Sequence, residues 1–169
     1  MNTVITIGKR LIPIEHIAFV EPYDPSTNPK LQTSRDYKAR IVMINRESVL
    51  TEQTPQSFAE AYGFRILEQD QIATNPAVSF RVETFEPADG FTPSKAFAAR
   101  VLWRDYDGND QSKLLLAAPE KVLAVVVRGE SDARPAASEA TAALPDENTM
   151  RRPPRRRQAN AAADVMPQQ

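Results

Sequence analysis

The sequence contains no cysteine. That excludes a disulfide framework and a thiolate nucleophile, and it leaves a structural zinc site without its usual ligands. Histidine occurs once, as His16, just ahead of a strand-like run where an imidazole is ordinarily structural or solvent-facing. No Ser-His-acid set and no Cys-His pair is laid out for nucleophilic catalysis. Glycine is scarce, five residues against fourteen prolines, and Ile7-Gly8-Lys9 lacks the spaced glycines of a phosphate cradle. Charge of one sign is lacking too: the net charge is −1, so the chain as a whole has no strong pull on nucleic acid or anionic membrane. No apolar run reaches the roughly 20 residues of a membrane span, and the start, MNTVITIGKR, lacks the basic-then-apolar layout of a secretory leader. The expectation is a soluble, cytoplasmic protein that is not an enzyme, with no catalytic residues, no metal and no cofactor.

What is present is a pattern that occurs twice. Tyr37-Lys38-Ala39-Arg40-Ile41 aligns with Phe97-Ala98-Ala99-Arg100-Val101, and Ser48-Val49-Leu50 with Ser112-Lys113-Leu114 after four extra residues assigned to the second turn. Pro55 then falls on Pro119 and Phe58 on Val122, while upstream Val20-Glu21-Pro22-Tyr23-Asp24-Pro25 matches Val82-Glu83-Thr84-Phe85-Glu86-Pro87. Several motifs in the same order point to internal duplication of one small unit.

Each unit reads as strand, loop, hairpin and short helix. Thr3 to Ile7 alternates and is rich in β-branched residues, Gly8-Lys9 is a turn, and Arg10 to Ile12 returns as a strand before Pro13. Ile17 to Glu21 forms the next strand and stops at Pro22; Asp24 to Asp36 is polar and proline-punctuated, hence a surface loop. In the central strand Tyr37, Ala39, Ile41 and Met43 share a face that packs inward, and Lys38, Arg40, Val42 and Ile44 share the other. The second copy places Phe97, Ala99, Val101 and Trp103 against Ala98, Arg100, Leu102 and Arg104, with Trp103 in the core. Asn45-Arg46-Glu47 is the first hairpin turn and Asp105 to Gln111 a longer second one. Thr54-Pro55 opens a helix that Gly63 ends. Phe64 to Leu67 suits a strand, Asn75-Pro76 a turn, and Pro119 a single helical turn before an extended Val125-Val126-Val127.

From Gly129 the composition shifts to Ala, Pro, Glu and Arg with few sizeable apolar side chains. Burial of so little surface does not offset an ordering cost of about 1–2 kcal/mol per residue, which predicts a disordered tail. The expected fold class is therefore α+β, mainly β. Two tandem copies of a β-hairpin-plus-short-helix unit, 1–63 and 64–128, pack as a pseudo-symmetric pair, as the subunits of a dimer do, and the tail covers 129–169.

Three side-chain groups carry candidate chemistry. Asp105, Asp107 and Asp110 in DYDGND cluster oxygens as a calcium loop does, but the glycine falls too early and Leu116 stands where the frame needs Glu, which favours a polar turn. Lys38, Arg40, Arg100 and Arg104 would line a basic strip able to hold phosphates if their face is open; as cross-strand partners of Glu47, Glu52 or Asp110 they would be structural. In the tail Arg151, Arg152, Arg155, Arg156 and Arg157, interleaved with Pro153 and Pro154, form an extended basic segment that either docks nucleic acid, acidic protein or anionic lipid headgroups, or solubilises the chain.

The run Ile12-Pro13-Ile14-Glu15-His16-Ile17-Ala18-Phe19-Val20-Glu21, followed by a hairpin and short helix, resembles the LytTR type of regulatory DNA-binding domain. Lys38 to Ile44 through Pro55 is similar to the RemA type of small bacterial regulator. Both resemblances imply transcriptional control by a β-rich module. Where LytTR-like domains carry a basic strand after the helix, this chain reads Phe64-Arg65-Ile66-Leu67-Glu68-Gln69-Asp70, which is acidic. The whole chain resembles proteins of alphaproteobacteria, which implies a bacterial source. The expected function is non-catalytic binding or regulation through protein–protein contacts, with the Asp24–Asp36 loop, the tail and an oligomeric state as means of contact. The alternative is a DNA-binding transcriptional regulator using the basic strand face and the Arg-rich tail.

Overall fold

Alternation of β-branched and polar residues makes the first hairpin. In the computed structural model, which describes residues 3–27 and 34–130, β1 (Val4–Ile7) pairs antiparallel with β2 (Arg10–Pro13). Ile5 and Ile12 face each other and are buried, while Val4 and Leu11 point outward. Pro13 closes this ladder opposite Val4, at the strand end where a missing N–H is tolerated. The Ile14 N–H donates to the Thr3 carbonyl at 2.9 Å, tying the hairpin to a single 3-10 turn at Ile14–His16.

The main sheet follows. β3 (Ile17–Pro22), β4 (Ala39–Met43) and β5 (Ser48–Thr51) form an antiparallel meander. Then comes α1 (Pro55–Tyr62), whose Thr54 Oγ1 accepts from the Ser57 N–H at 3.1 Å. Gly63 ends it in the left-handed region at φ 72°, donating to the Ala59 carbonyl. That reversal returns the chain along the free side of β3 as β6 (Arg65–Leu67) and β7 (Ile72–Thr74), giving the order β5-β4-β3-β7-β6. Residues 65–74, which the sequence pattern assigned to the second unit, thus complete the first sheet. β7 itself went unseen, since three residues carry too little periodicity to register.

β8 (Arg81–Thr84), β9 (Ala99–Arg104) and β10 (Asp110–Leu115) form a second antiparallel meander, ordered β10-β9-β8. α2 (Pro119–Val122) then runs on into a π-helical turn, Leu123–Val127, instead of the expected extended segment. The valines prefer strand conformation, but Val122, Val125 and Val126 are buried in the core, and that burial outweighs local preference. The fold is mainly β, with two short helices. The described residues belong to one compact unit within Met1–Arg134. Of the predicted tail, 129–169, residues 131 onward lie outside the described residues, as do 28–33 of the Asp24–Asp36 loop.

The two meanders share more than strand order. Tyr23 N donates to Lys38 O, as Phe85 N does to Ala98 O; Lys38 N donates to Thr51 O, as Ala98 N does to Leu115 O. Their hairpins close alike: Met43 N bonds Glu47 O and Arg46 N bonds Met43 O, matched by Asp105 N to Asn109 O and Gly108 N to Asp105 O. The four extra residues of the second copy therefore lengthen its strands, and its turn is no longer than the first, contrary to expectation. Both turns hold a left-handed residue, Arg46 at φ 68° and Gly108 at φ 83°.

The sheets do not meet by equivalent faces. The second offers Ala99, Val101 and Trp103, which join Phe19, Val42 and Ile44 of the first in one core cluster. The counterparts Ala39, Ile41 and Met43 lie on the opposite face of the first sheet, in a second cluster with Phe58 of α1 and Ile5 and Ile12 of the hairpin. Both faces of β4 are thus covered. This is head-to-tail stacking, and not the like-on-like contact of a two-fold pair.

Candidate partner-binding groove

Because β1–β2 lies over the α1 side of the first sheet, its tip leaves a gap beside β5. That gap is a groove of about 690 Å³ lined by residues 5–10, Arg35, Tyr37, residues 48–53 and Tyr62. Ile7, Tyr37, Val49 and Tyr62 give it a half-buried apolar lining, and Lys9 and Arg10 stand exposed at the hairpin tip. Among the described residues β5 pairs with β4 alone. Since Glu47 O and Thr51 O both accept from the β4 side, alternation turns the backbone groups of Ser48 and Leu50 to the open edge.

The corresponding edge of β10 is partly covered. Ser112, the counterpart of Ser48, has its carbonyl occupied by Arg46 Nη1 at 3.3 Å. Just past the strand, the Leu116 and Ala117 N–H groups donate to the two carboxylate oxygens of Asp70 at 2.7 and 3.0 Å. The acidic end of the Phe64–Asp70 segment is therefore structural: it clamps the chain entering α2. A second concavity of about 520 Å³ lies between the end of β3, the start of α1 and β6. The first turn of that helix is already capped by Thr54.

The candidate strip of Lys38, Arg40, Arg100 and Arg104 does not assemble. Lys38 pairs with Asp36 at 2.6 Å. Arg40 sits on the first sheet, where Nε donates to Glu21 Oε1 at 2.7 Å and Nη2 contacts the same oxygen. Glu21 Oε2 takes Lys113 Nζ from the second sheet at 2.5 Å, and that ammonium also lies 5.0 Å from the Phe19 ring centroid. Burial pushes the Glu21 carboxyl up, but the charges and hydrogen bonds of Lys113 and Arg40 outweigh it and hold the group below its ordinary value. Arg100 lies over the Phe85 ring at 5.6 Å, and Arg104 Nε donates to Asp110 at 3.2 Å, with Arg81 at 3.8 Å from the same oxygen. Arg104 pairing with Asp110 is the structural role weighed for it from sequence. Arg151, Arg152, Arg155, Arg156 and Arg157 lie outside the described residues.

Asp105 orders the second turn, while Asp110 pairs with Arg104 and Arg81. Asp105 Oδ1 accepts from the Asp107 and Asn109 N–H groups, and Oδ2 from the side chains of Asn109 and Gln111. These donors occupy both carboxylate oxygens of Asp105. His16 is exposed, with its ring 5.0 Å from that of Tyr106. Sequence reading passed over Lys9 and Arg10, although two cations beside a Gly8 turn were visible in it. Nothing local in the sequence revealed that Glu21 and Lys113, or Asp70 and Leu116, come together.

Among the described residues the protein is thus mainly β, two stacked antiparallel sheets and a two-stranded hairpin, with a groove beside an uncovered sheet edge. Among the described residues no helix is long and apolar enough to cross a membrane. No family model, curated protein or solved structure matches the chain.

Proposed function

We propose that this is a non-catalytic binding protein that works through protein–protein contacts, and that the groove beside β5 is its contact site. The observation that carries this reading is the contrast between two equivalent strands. β10 has its outer edge partly covered, by Arg46 on the Ser112 carbonyl and by Asp70 just past the strand, whereas among the described residues β5 has an uncovered edge facing a lined groove. An unpaired edge is a ready template for another chain, and proteins generally cover such edges when they have no use for them. A photo-crosslinking residue at Ser48 tests it in host extract, with one at Glu83 on the second sheet as control. A discrete protein adduct from Ser48 and none from Glu83 is expected; no adduct from Ser48 overturns the reading.

The two meanders are, on this reading, copies of one unit that diverged in role. The matched anchoring bonds and hairpin closures support common origin. Head-to-tail stacking supports divergence: the first unit receives the second on one face and keeps the groove, while the second has its β10 edge partly covered. The DNA-binding alternative draws on Arg81, Arg100 and Arg104, which cross-strand register places on one face of the second sheet. Asp110 partly neutralises that face. Titration with duplex DNA at low salt is expected to show no binding by the folded unit. Binding whose affinity falls with log salt at about −0.9 per contacted phosphate, and which survives replacement of Arg151, Arg152 and Arg155–Arg157, would establish the alternative.

A further inference from the structure

Resting on that reading of the groove, we infer that its occupant is an extended, acidic segment of a partner protein, added as a sixth strand alongside β5. Three observations define this ligand. First, the open edge presents the backbone of Ser48 and Leu50, so the groups that recognise the ligand are main-chain donors and acceptors spaced for a strand. A helix, whose own N–H and C=O groups are already paired, cannot use them. Second, Ile7, Tyr37, Val49 and Tyr62 line one side of the gap. A strand lying there points every second side chain toward them, so alternate apolar residues are required. Third, the hairpin tip supplies Lys9 and Arg10, and among the described residues neither side chain has a hydrogen-bond or ion-pair partner. Glu52 is the single carboxylate in the lining. The field at the mouth therefore favours negative charge on the ligand's outward positions.

Fluorescence anisotropy with the full chain tests this. The probe is a labelled eight-residue peptide of alternating Val and Glu, set against an alternating Val and Lys peptide and a Val–Glu peptide N-methylated at every second residue. The acidic peptide is expected to bind, and methylation of the edge facing β5 to abolish binding. Lys9→Glu with Arg10→Glu should weaken it about tenfold, the effect of reversing two rim charges. Leu50→Pro should also abolish binding, since it removes an outward N–H and leaves the bonds to β4; an unchanged thermal melt shows that this variant still folds.

Equal binding of acidic and basic peptides, or indifference to methylation, overturns the inference. If the Ser48 crosslinker nevertheless captures a protein, the binding-protein reading survives and only the ligand class is wrong. If Ser48 captures residues 131–169 of its own chain, or a second copy through the same edge, the groove is occupied from within and the partner is excluded.

Discussion

Trp103 Nε1 donates to the carbonyl of Ile44 at 2.9 Å, and both residues are buried. One hydrogen bond thereby joins β9 of the second sheet to the end of β4 in the first. Phe19 and Phe80 meet the indole edge-on at 5.6 and 5.9 Å, the geometry that aromatic quadrupoles favour. Trp103→Ala is expected to cost about 3–5 kcal/mol from lost packing and the cavity left behind. Trp103→Phe keeps a ring but strands the Ile44 carbonyl, at about 1–3 kcal/mol. Urea denaturation followed by circular dichroism checks both. A Phe variant as stable as wild type would show that the hydrogen bond contributes nothing beyond ring packing.

Glu21 holds the sheets together electrostatically, and its stabilisation has a defined pH window. Its carboxyl titrates below the ordinary value of 4.5 in the folded chain, so the unfolded chain binds the proton more readily. The contribution is fully present above about pH 4.5 and is lost as pH falls through the lower folded value. Glu21→Gln should cost about 1–3 kcal/mol at pH 7, because Arg40 and Lys113 lose a charged acceptor. The variant should also show a flatter decline of melting temperature between pH 5 and pH 3. Parallel acid profiles for variant and wild type would remove Glu21 from that role.

The paired hairpins contain their own control. Arg46 occupies the left-handed position that Gly108 holds in the second turn, and a side chain there costs roughly 1–2 kcal/mol. Arg46→Gly gives back part of this as backbone entropy in the unfolded chain. The net expectation is a gain of about 0.5–1 kcal/mol, read as a higher denaturation midpoint. A loss instead would mean that the contact of Arg46 with the Ser112 carbonyl outweighs the strain.

Much of this architecture was legible because it depends on short-range chemistry. The Thr54 cap, Pro55, the Gly63 terminator and the alternation through Ala39 to Met43 each announce a local conformation, and the aligned motifs announce a second meander. What the sequence concealed is non-local. That β4 is covered on both faces, so that Arg40 meets Glu21 and lines no open strip, depends on how the sheets stack. Val125 to Val127 misled because strand preference is weaker than the burial available beside the core. The groove was hidden for a similar reason: its apolar lining comes from β1, the residues just before β4, β5 and the end of α1, which are distant in the chain.

Asp70 illustrates a charged residue whose role is set at long range. Its carboxylate receives the Leu116 and Ala117 N–H groups, acting as a cap supplied from another part of the chain for the segment entering α2. Asp70→Ala should cost about 1–2 kcal/mol, in the range of a lost capping bond to a charged acceptor. Asp70→Asn should recover part of that, since one oxygen remains to accept. Backbone amide exchange at Leu116 and Ala117 is expected to accelerate in the Ala variant, and unchanged exchange there would place the stabilisation elsewhere.

Amide exchange also reports directly on the open edge. In β5 the bonds accepted by Glu47 O and Thr51 O fix the alternation, so the Val49 and Thr51 N–H groups face β4 while those of Ser48 and Leu50 face the groove. An amide exchanges slowly when opening must break its hydrogen bond. Val49 and Thr51 should therefore be protected, and Ser48 and Leu50 should exchange close to the rate of an unstructured peptide. Leu116, held by Asp70 just past the end of β10, should be slow. Addition of the acidic Val–Glu peptide should slow Ser48 and Leu50 selectively and leave Val49 unchanged, because only the outward groups gain partners. Protection of Ser48 and Leu50 in the free chain would mean that the edge is already paired, and no strand could be added there.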